Sequence, residues 1–248
     1  MASTQLEVTR WTAQQLQQSV IESAPKVAIF DCDGTLWGGD AGHGFMVWSM
    51  DQGLVSRSTC DWMDTRYRSY LAGNVTELQI CGEMVQMYAG LHEQELRSAA
   101  TRYFDQHIRP HIFAEIAALV DTLRKAGVEL WAVSSTNKWV ISSGVREFGI
   151  PEERVLAAEV RVENEIITSE IVDVPTGPAK AKALSRIGLP RPDAVFGNSL
   201  HDLAMLEIAV HPYPVNPSLG LLEECAKRGW GYFRPREVLE APAPVAGE

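Results

Sequence analysis

The stretch VAIFDCDGTLWGGD, residues 27–40, runs from four apolar residues straight into two aspartates separated by one cysteine. The apolar run is short and follows Pro25, which predicts a buried strand over 26–30 that ends at Asp31. Two carboxylates this close at a strand end repel each other and lose hydration, so they need a cation or a shared proton. Mg²⁺ meets that need, because it takes oxygen ligands, keeps several waters and bridges one or two carboxylates to a phosphate. The following Gly34-Thr35 allows a tight turn with backbone N–H groups facing the same anion, which places Gly34 and Thr35 on a phosphate.

Outward from this stretch the chain alternates in type. Residues 12–22 predict a short helix before the strand. From about 40 to 109 the pattern is helical, with segments near 44–51, 58–71, 75–89 and 93–107 separated by Gly53, Gly73-Asn74 and Gly90. After Pro110 comes another helix with a stop at Gly127, then a strand at 128–134. Residues 154–160 predict a third strand, and 161–172 alternate around Glu163-Asn164 as a hairpin does. A helix at 178–187, a strand at 193–198 and a helix at 203–209 complete the pattern. Alternating β and α elements predict an α/β fold, a mostly parallel sheet with helices on both faces. The helical block 40–109 is then an inserted cap on a core of residues 1–39 and 110–236. Residues 237–248, rich in Pro and Ala, read as a disordered tail.

In open α/β sheets ligands bind beyond the carboxyl ends of the strands, which singles out Asp31, Asp33, Ser134, Ser135, Asn198 and Asp202. A formal net charge of −10 without clustered Lys and Arg argues against nucleic acid and leaves a small or metal-shielded anion as partner. The 4 cysteines form no CxxC pair, which suits a reducing compartment, and the N-terminus lacks a basic start and an apolar run. No segment approaches the ~20 apolar residues that cross a bilayer. The expectation is a cytoplasmic protein with no membrane contact and an open oligomeric state. His107 and His111 have zinc-pair spacing, but Pro110 spoils the helix between them. The glycine-rich GGDAGHG at 38–44 reads as a flexible hinge into the cap, and Trp37, Trp48 and Trp62 read as core.

DCDGT at 31–35 resembles the first motif of the haloacid dehalogenase superfamily, DxDGT, and similar motifs follow in order. ELWAV runs into Ser134 like the second motif, with Ser135 or Thr136 as substitutes. GPAKAKAL offers Lys180, or Lys182, as the third. FGNSLHDLAML resembles the fourth, usually GDxxxD, with Asn198 in place of the first Asp and Asp202 as the second. NPSLGLLEECAKRGW is similar to the end of the phosphoserine-phosphatase-like branch. The resemblance covers residues 26 to about 235 and implies a Rossmann-like three-layer core with an all-helical cap.

It also implies roles. Asp31 is the nucleophile, and Asp33 is the acid and then the base. Mg²⁺ is held by Asp31, the backbone carbonyl of Asp33 and the Asn198/Asp202 pair, while Ser134 and Lys180 complete the phosphate clamp. The carbon-attacking dehalogenases lack the second Asp of DxD, so Asp33 favours phosphate-ester hydrolysis of a small phosphorylated metabolite. A phosphotransferase, a phosphomutase or a binding protein that has lost turnover stands on the same core. Relatives that hydrolyse phosphoserine hold its ammonium with an acid nine residues after the nucleophile, where Asp40 stands here. Their insert arginine for the carboxylate is missing: Glu83 and Met84 occupy its place, with Arg66 or Arg68 as substitutes from the neighbouring helix. The implied substrate is an amine-bearing phosphomonoester without a carboxylate, of the phosphoethanolamine or phosphocholine kind.

Overall fold

The computed structural model describes residues 8–240, so residues 241–248 of the expected tail lie outside the described part. The chain enters through a two-residue strand β1 (Arg10–Trp11) and helix α1 (Ala13–Glu22), which starts on a Thr12–Gln15 capping box. Strand β2 (Val27–Phe30) follows and splits the interior in two. Successive side chains on a strand point to opposite faces. Ala28 and Phe30 accordingly join one apolar cluster with α1, while Ile29 joins a second one.

Four helices come next: α2 (Ala41–Asp51), α3 (Arg57–Leu71), α4 (Glu77–Gln86) and α5 (Glu93–Tyr103). A π turn at Phe104–Ile108 and a 3₁₀ turn at Arg109–His111 lead back to helix α6 (Ala114–Lys125). Strand β3 (Glu129–Asn137), helix α7 (Lys138–Val145) and strands β4 (Val155–Glu163) and β5 (Ile166–Asp173) follow. Helix α8 (Pro178–Arg186), strand β6 (Ala194–Gly197), helix α9 (Leu203–Ile208), strand β7 (His211–Pro214) and helix α10 (Leu219–Arg228) complete the core. Strand β8 (Tyr232–Phe233) pairs with β1, and α11 (Arg236–Glu240) ends the described chain, so residues 237–240 are helical where disorder is expected.

The main sheet has the order β5-β4-β3-β2-β6-β7, and every neighbouring pair is parallel except β4–β5. One face carries α1, α6 and α7, whose Leu16, Ile116 and Val140 share a cluster with Phe30. The other carries α8, α9 and α10, whose Leu184, Leu206 and Leu221 pack with Ile29, Val133 and Val195. The expected third strand and first hairpin arm are one strand. The first part of β4 pairs in parallel with β3, and its second part turns back on β5 through Asn164 and Glu165, both at positive φ. That is the backbone a two-residue hairpin turn demands.

The hairpin also anchors the helical insert. Gly90 and Glu93 donate backbone N–H groups to Ile167 and Glu165, and Gln86 Nε2 donates to the Ser169 carbonyl at 2.7 Å. The glycine-rich 38–44 segment is no loose hinge, because Ala41 begins α2 under an Asp40 cap. A Cβ at Gly42 would stand 2.6 Å from Thr136 Oγ1, and one at Gly44 would stand 2.0 Å from the Tyr103 hydroxyl, so these glycines answer to close packing. Among the described residues no helix is long and apolar enough to cross a membrane.

Candidate active site

Parallel strands point their carboxyl ends the same way, so the residues that leave β2, β3 and β6 meet at one edge of the sheet. Asp31 and Asp33 follow β2, Ser134 to Asn137 form the end of β3, and Asn198 and Ser199 follow β6. These residues line a cavity of about 290 Å³, to which α2, α3 and α4 contribute the rest of the wall.

Lys180 sets the electrostatics. It extends from the first turn of α8, is 2% exposed, and donates to Asp31 Oδ1 at 2.7 Å, Asp202 Oδ1 at 2.6 Å and the Val133 carbonyl at 3.2 Å. Burial alone would lower its pKa, but Asp202 and Asp31 outweigh that and hold the ammonium well above its ordinary range. Lys182 points elsewhere and is exposed. Thr35 Oγ1 donates to Asp31 Oδ2 at 2.9 Å, so both oxygens of that carboxylate are oriented. Burial, reinforced by Asp202 and countered by Lys180, pushes the Asp31 pKa up to about 7.

Asp33 is held by three donors. Trp37 Nε1 at 2.7 Å and the Ala41 amide at 2.9 Å bind Oδ1, and Thr136 Oγ1 at 2.7 Å binds Oδ2. Burial, with Asp40 nearby, still pushes its pKa up to about 6. Trp37 is therefore core by its ring and part of the site by its N–H.

The phosphate role expected of Gly34 and Thr35 does not survive. Their backbone amides are spent inside the turn, on the carbonyls of Trp37 and Cys32, and neither residue lines the cavity. Gly34, at φ +78°, lies under the Asn198 side chain, where a Cβ would stand 1.9 Å from Nδ2. Its work is to let Asn198 approach, and that of Thr35 is to aim Asp31. The polar residues of β3 that line the cavity are Ser134, Ser135, Thr136 and Asn137.

Asp202 is also placed differently from a direct metal ligand. Its Oδ1 is taken by Lys180, and Oδ2 accepts the amides of Asn198 at 2.8 Å and Ser199 at 2.9 Å. Among the described residues no three His, Cys, Asp or Glu side chains form a metal-binding group. The oxygen-bearing side chains of Asp31, Asp33 and Asn198 line the cavity, whereas Asp202 does not. This all-oxygen, incomplete set fits an ion that keeps water ligands, such as Mg²⁺, and does not fit zinc.

The substrate-facing expectations for Arg66, Glu83 and Arg68 are corrected. Arg66 and Glu83 form a two-pronged ion pair at 2.8 and 2.7 Å between α3 and α4, and neither lines the cavity. Arg68 is exposed beside Asp64. Asp40 does line the cavity, and its Oδ1 accepts the His43 amide as the cap of α2. Sequence reasoning missed Tyr67 and Tyr70 on α3 and Glu77, Ile80 and Cys81 on α4, although it had Met84 beside Glu83. A signal existed: 77, 80, 81 and 84 have the i, i+3, i+4, i+7 spacing of one helix face, which leaves Glu83 on another.

The haloacid dehalogenase-like hydrolase family profile matches residues 28–207, which takes in Asp31, Asp33, Ser134, Lys180, Asn198 and Asp202. The chain belongs to this family. A probable phosphatase of Mycobacterium tuberculosis is 26% identical over 253 residues, spanning 96% of this chain and 87% of that protein. The histidinol-phosphatase of Neisseria meningitidis is 25% identical over 215 residues, spanning 82% of this chain and 96% of its own. The fold is shared with a substrate-bound phosphoserine phosphatase at a TM-score of 0.57 and 15% identity, over 87% of this chain and 97% of that one.

Proposed function

We propose that this hydrolase is a Mg²⁺-dependent phosphatase that cleaves a small-molecule phosphomonoester through an aspartyl-phosphate. The observation that carries it is the oriented, buried Asp31 carboxylate, with Asp33 two residues on at the same cavity. Relatives named phosphatase and histidinol-phosphatase support the same chemistry. Asp31 attacks phosphorus, the bond to the leaving oxygen breaks, and Asp33 gives that oxygen its proton. Water then attacks the phosphorus, Asp33 takes the proton of that water, and Asp31 is released with inorganic phosphate. Asp31, the Asp33 carbonyl and Asn198 would hold Mg²⁺, whose charge offsets that of the phosphoryl group. Lys180 keeps Asp31 aimed and shields it from the incoming anion. Release of inorganic phosphate from a panel of phosphorylated metabolites, histidinol phosphate included, tests the reaction class, and silence across the panel with Mg²⁺ present overturns it.

The acid role of Asp33 has a pH signature. A pKa of about 6 means that its protonated fraction falls tenfold per pH unit above that value. Turnover of alkyl phosphates, whose leaving oxygen needs a proton, is expected to decline on the alkaline side from about pH 6. With p-nitrophenyl phosphate, whose leaving group departs as an anion, that decline should vanish. A shared alkaline limb for both substrates would remove Asp33 from the acid role.

Asn198 supplies an oxygen without a charge. Asn198→Asp is expected to tighten Mg²⁺ binding by roughly tenfold, the worth of one added charge near the ion in a partly solvated site. Titrating Mg²⁺ by calorimetry checks this, and unchanged affinity would place Asn198 away from the metal.

A further inference from the structure

We propose that the cap wall of the cavity is an aromatic subsite, made by the stacked His43 and Tyr67 rings with Tyr70 beside them, that selects phosphate esters whose alcohol carries a planar ring. The assignment rests on the phosphatase reading above and names the leaving group. His43 comes from α2, and Tyr67 and Tyr70 from α3, so the helical insert supplies all three rings to the cavity. The His43 and Tyr67 rings stack at 4.4 Å and 19°, and the Tyr70 ring stands 5.8 Å from that of Tyr67. Ile80 and Met84, one turn apart on α4, extend the same lining with apolar side chains.

Core packing does not account for these rings. Met63 is the one fully buried residue of α3, whereas Tyr67 and Tyr70 are half-buried at the cavity. Neither tyrosine hydroxyl has a hydrogen-bond partner among the described residues, so no structural bond holds the rings there. The acids of the cap wall, by contrast, have work within the protein. Glu77 accepts the Thr176 hydroxyl at 2.9 Å and lies against His201 Nδ1, and Asp40 is exposed and accepts the His43 amide at 2.9 Å. A polyol or charged alcohol entering here gives up water without a matching set of partners, whereas a flat ring gives up little and gains contact. Aromatic pairs settle with centroids ~4.5–7 Å apart and contribute beyond the area they bury, which a saturated ring of the same size does not match. The cavity of about 290 Å³ holds roughly ten waters' worth of volume, enough for a phosphoryl group and one ring.

The test separates this subsite from the reaction. Dissociation constants of phenethylphosphonate, cyclohexylethylphosphonate and aminoethylphosphonate, whose carbon–phosphorus bond withstands attack, are measured by calorimetry on the wild-type protein with Mg²⁺. The phenyl compound is expected to bind roughly three- to tenfold more tightly than its cyclohexyl counterpart, and roughly tenfold or more above aminoethylphosphonate. Tyr67→Leu should bring the phenyl-to-cyclohexyl ratio close to one while leaving aminoethylphosphonate unchanged. Tyr70→Leu should shrink the same ratio and serves as the second variant if Tyr67→Leu fails to fold, and Tyr70→Phe, which keeps the ring, should preserve it. Equal affinity for the phenyl and cyclohexyl compounds overturns the subsite, as does aminoethylphosphonate binding as tightly as the phenyl compound. So does an equal loss for all three ligands in the leucine variants, which would make the tyrosines only supports of the wall. The hydrolase reading is scored apart, by phosphate release from esters in the wild-type protein. The expected binding order with no release from any ester would overturn that reading and leave the subsite standing.

Discussion

Asp31→Asn is expected to lower phosphate release by at least ~10³-fold, because the substitution removes the attacking anion at nearly constant volume. The amide oxygen still accepts from Lys180 and its NH₂ can donate to the Thr35 hydroxyl, so the fold should persist, and far-ultraviolet circular dichroism checks it. Retention of more than about a tenth of wild-type turnover would exclude an aspartyl-phosphate route. The same variant carries a stability signature. Burial raises the Asp31 pKa from its ordinary 3.8 to about 7, so the folded state holds this proton more tightly than the unfolded chain does. That contribution is fully present below pH 3.8 and is lost as pH rises to about 7. In metal-free buffer, thermal unfolding of the variant should therefore gain on wild type between pH 4 and pH 8. A constant difference over that range would mean that Asp31 pays no burial penalty.

Lys180→Met should cost both the fold and the reaction. The ammonium bridges two carboxylates that are 7% and 1% exposed, and removing it leaves both buried without a cation. Breaking a buried pair in this way typically costs ~3–5 kcal/mol, a large share of a domain's stability. Urea unfolding should show a loss of that size, with turnover falling below detection. Because the destabilisation comes from the stranded acids, Lys180→Met combined with Asp202→Asn should recover part of the stability and none of the activity. No recovery in the double variant would mean that Lys180 acts through its packing instead of its charge.

Neighbours along the chain carry the signals that sequence alone resolves. The apolar run into Asp31, the glycine at 34 and the β/α alternation each depend on local spacing, and they determine the α/β class, the inserted helices and the strand ends where the site lies. The order of the motifs extended this to Ser134, Lys180 and Asn198, which the fold brings to one cavity. Partner choice was not legible in the same way. Asp202 sits where a metal ligand was expected, yet its oxygens go to Lys180 and two backbone amides. Gly34 and Thr35 belong to the expected turn, but that turn closes on its own amides and turns them away from the cavity.

The helical insert makes the contrast sharpest. Its helices and their glycine stops were readable, because helix period and caps are local. Which face of α4 looks into the cavity was not, since that depends on how the insert leans on the β4–β5 hairpin, a contact between segments some eighty residues apart. Rotation about that one helix exchanges Glu77 for Glu83. Sequence composition is indifferent to the exchange, and packing decides it, placing Glu77 at the cavity wall against Thr176 and leaving Glu83 to Arg66.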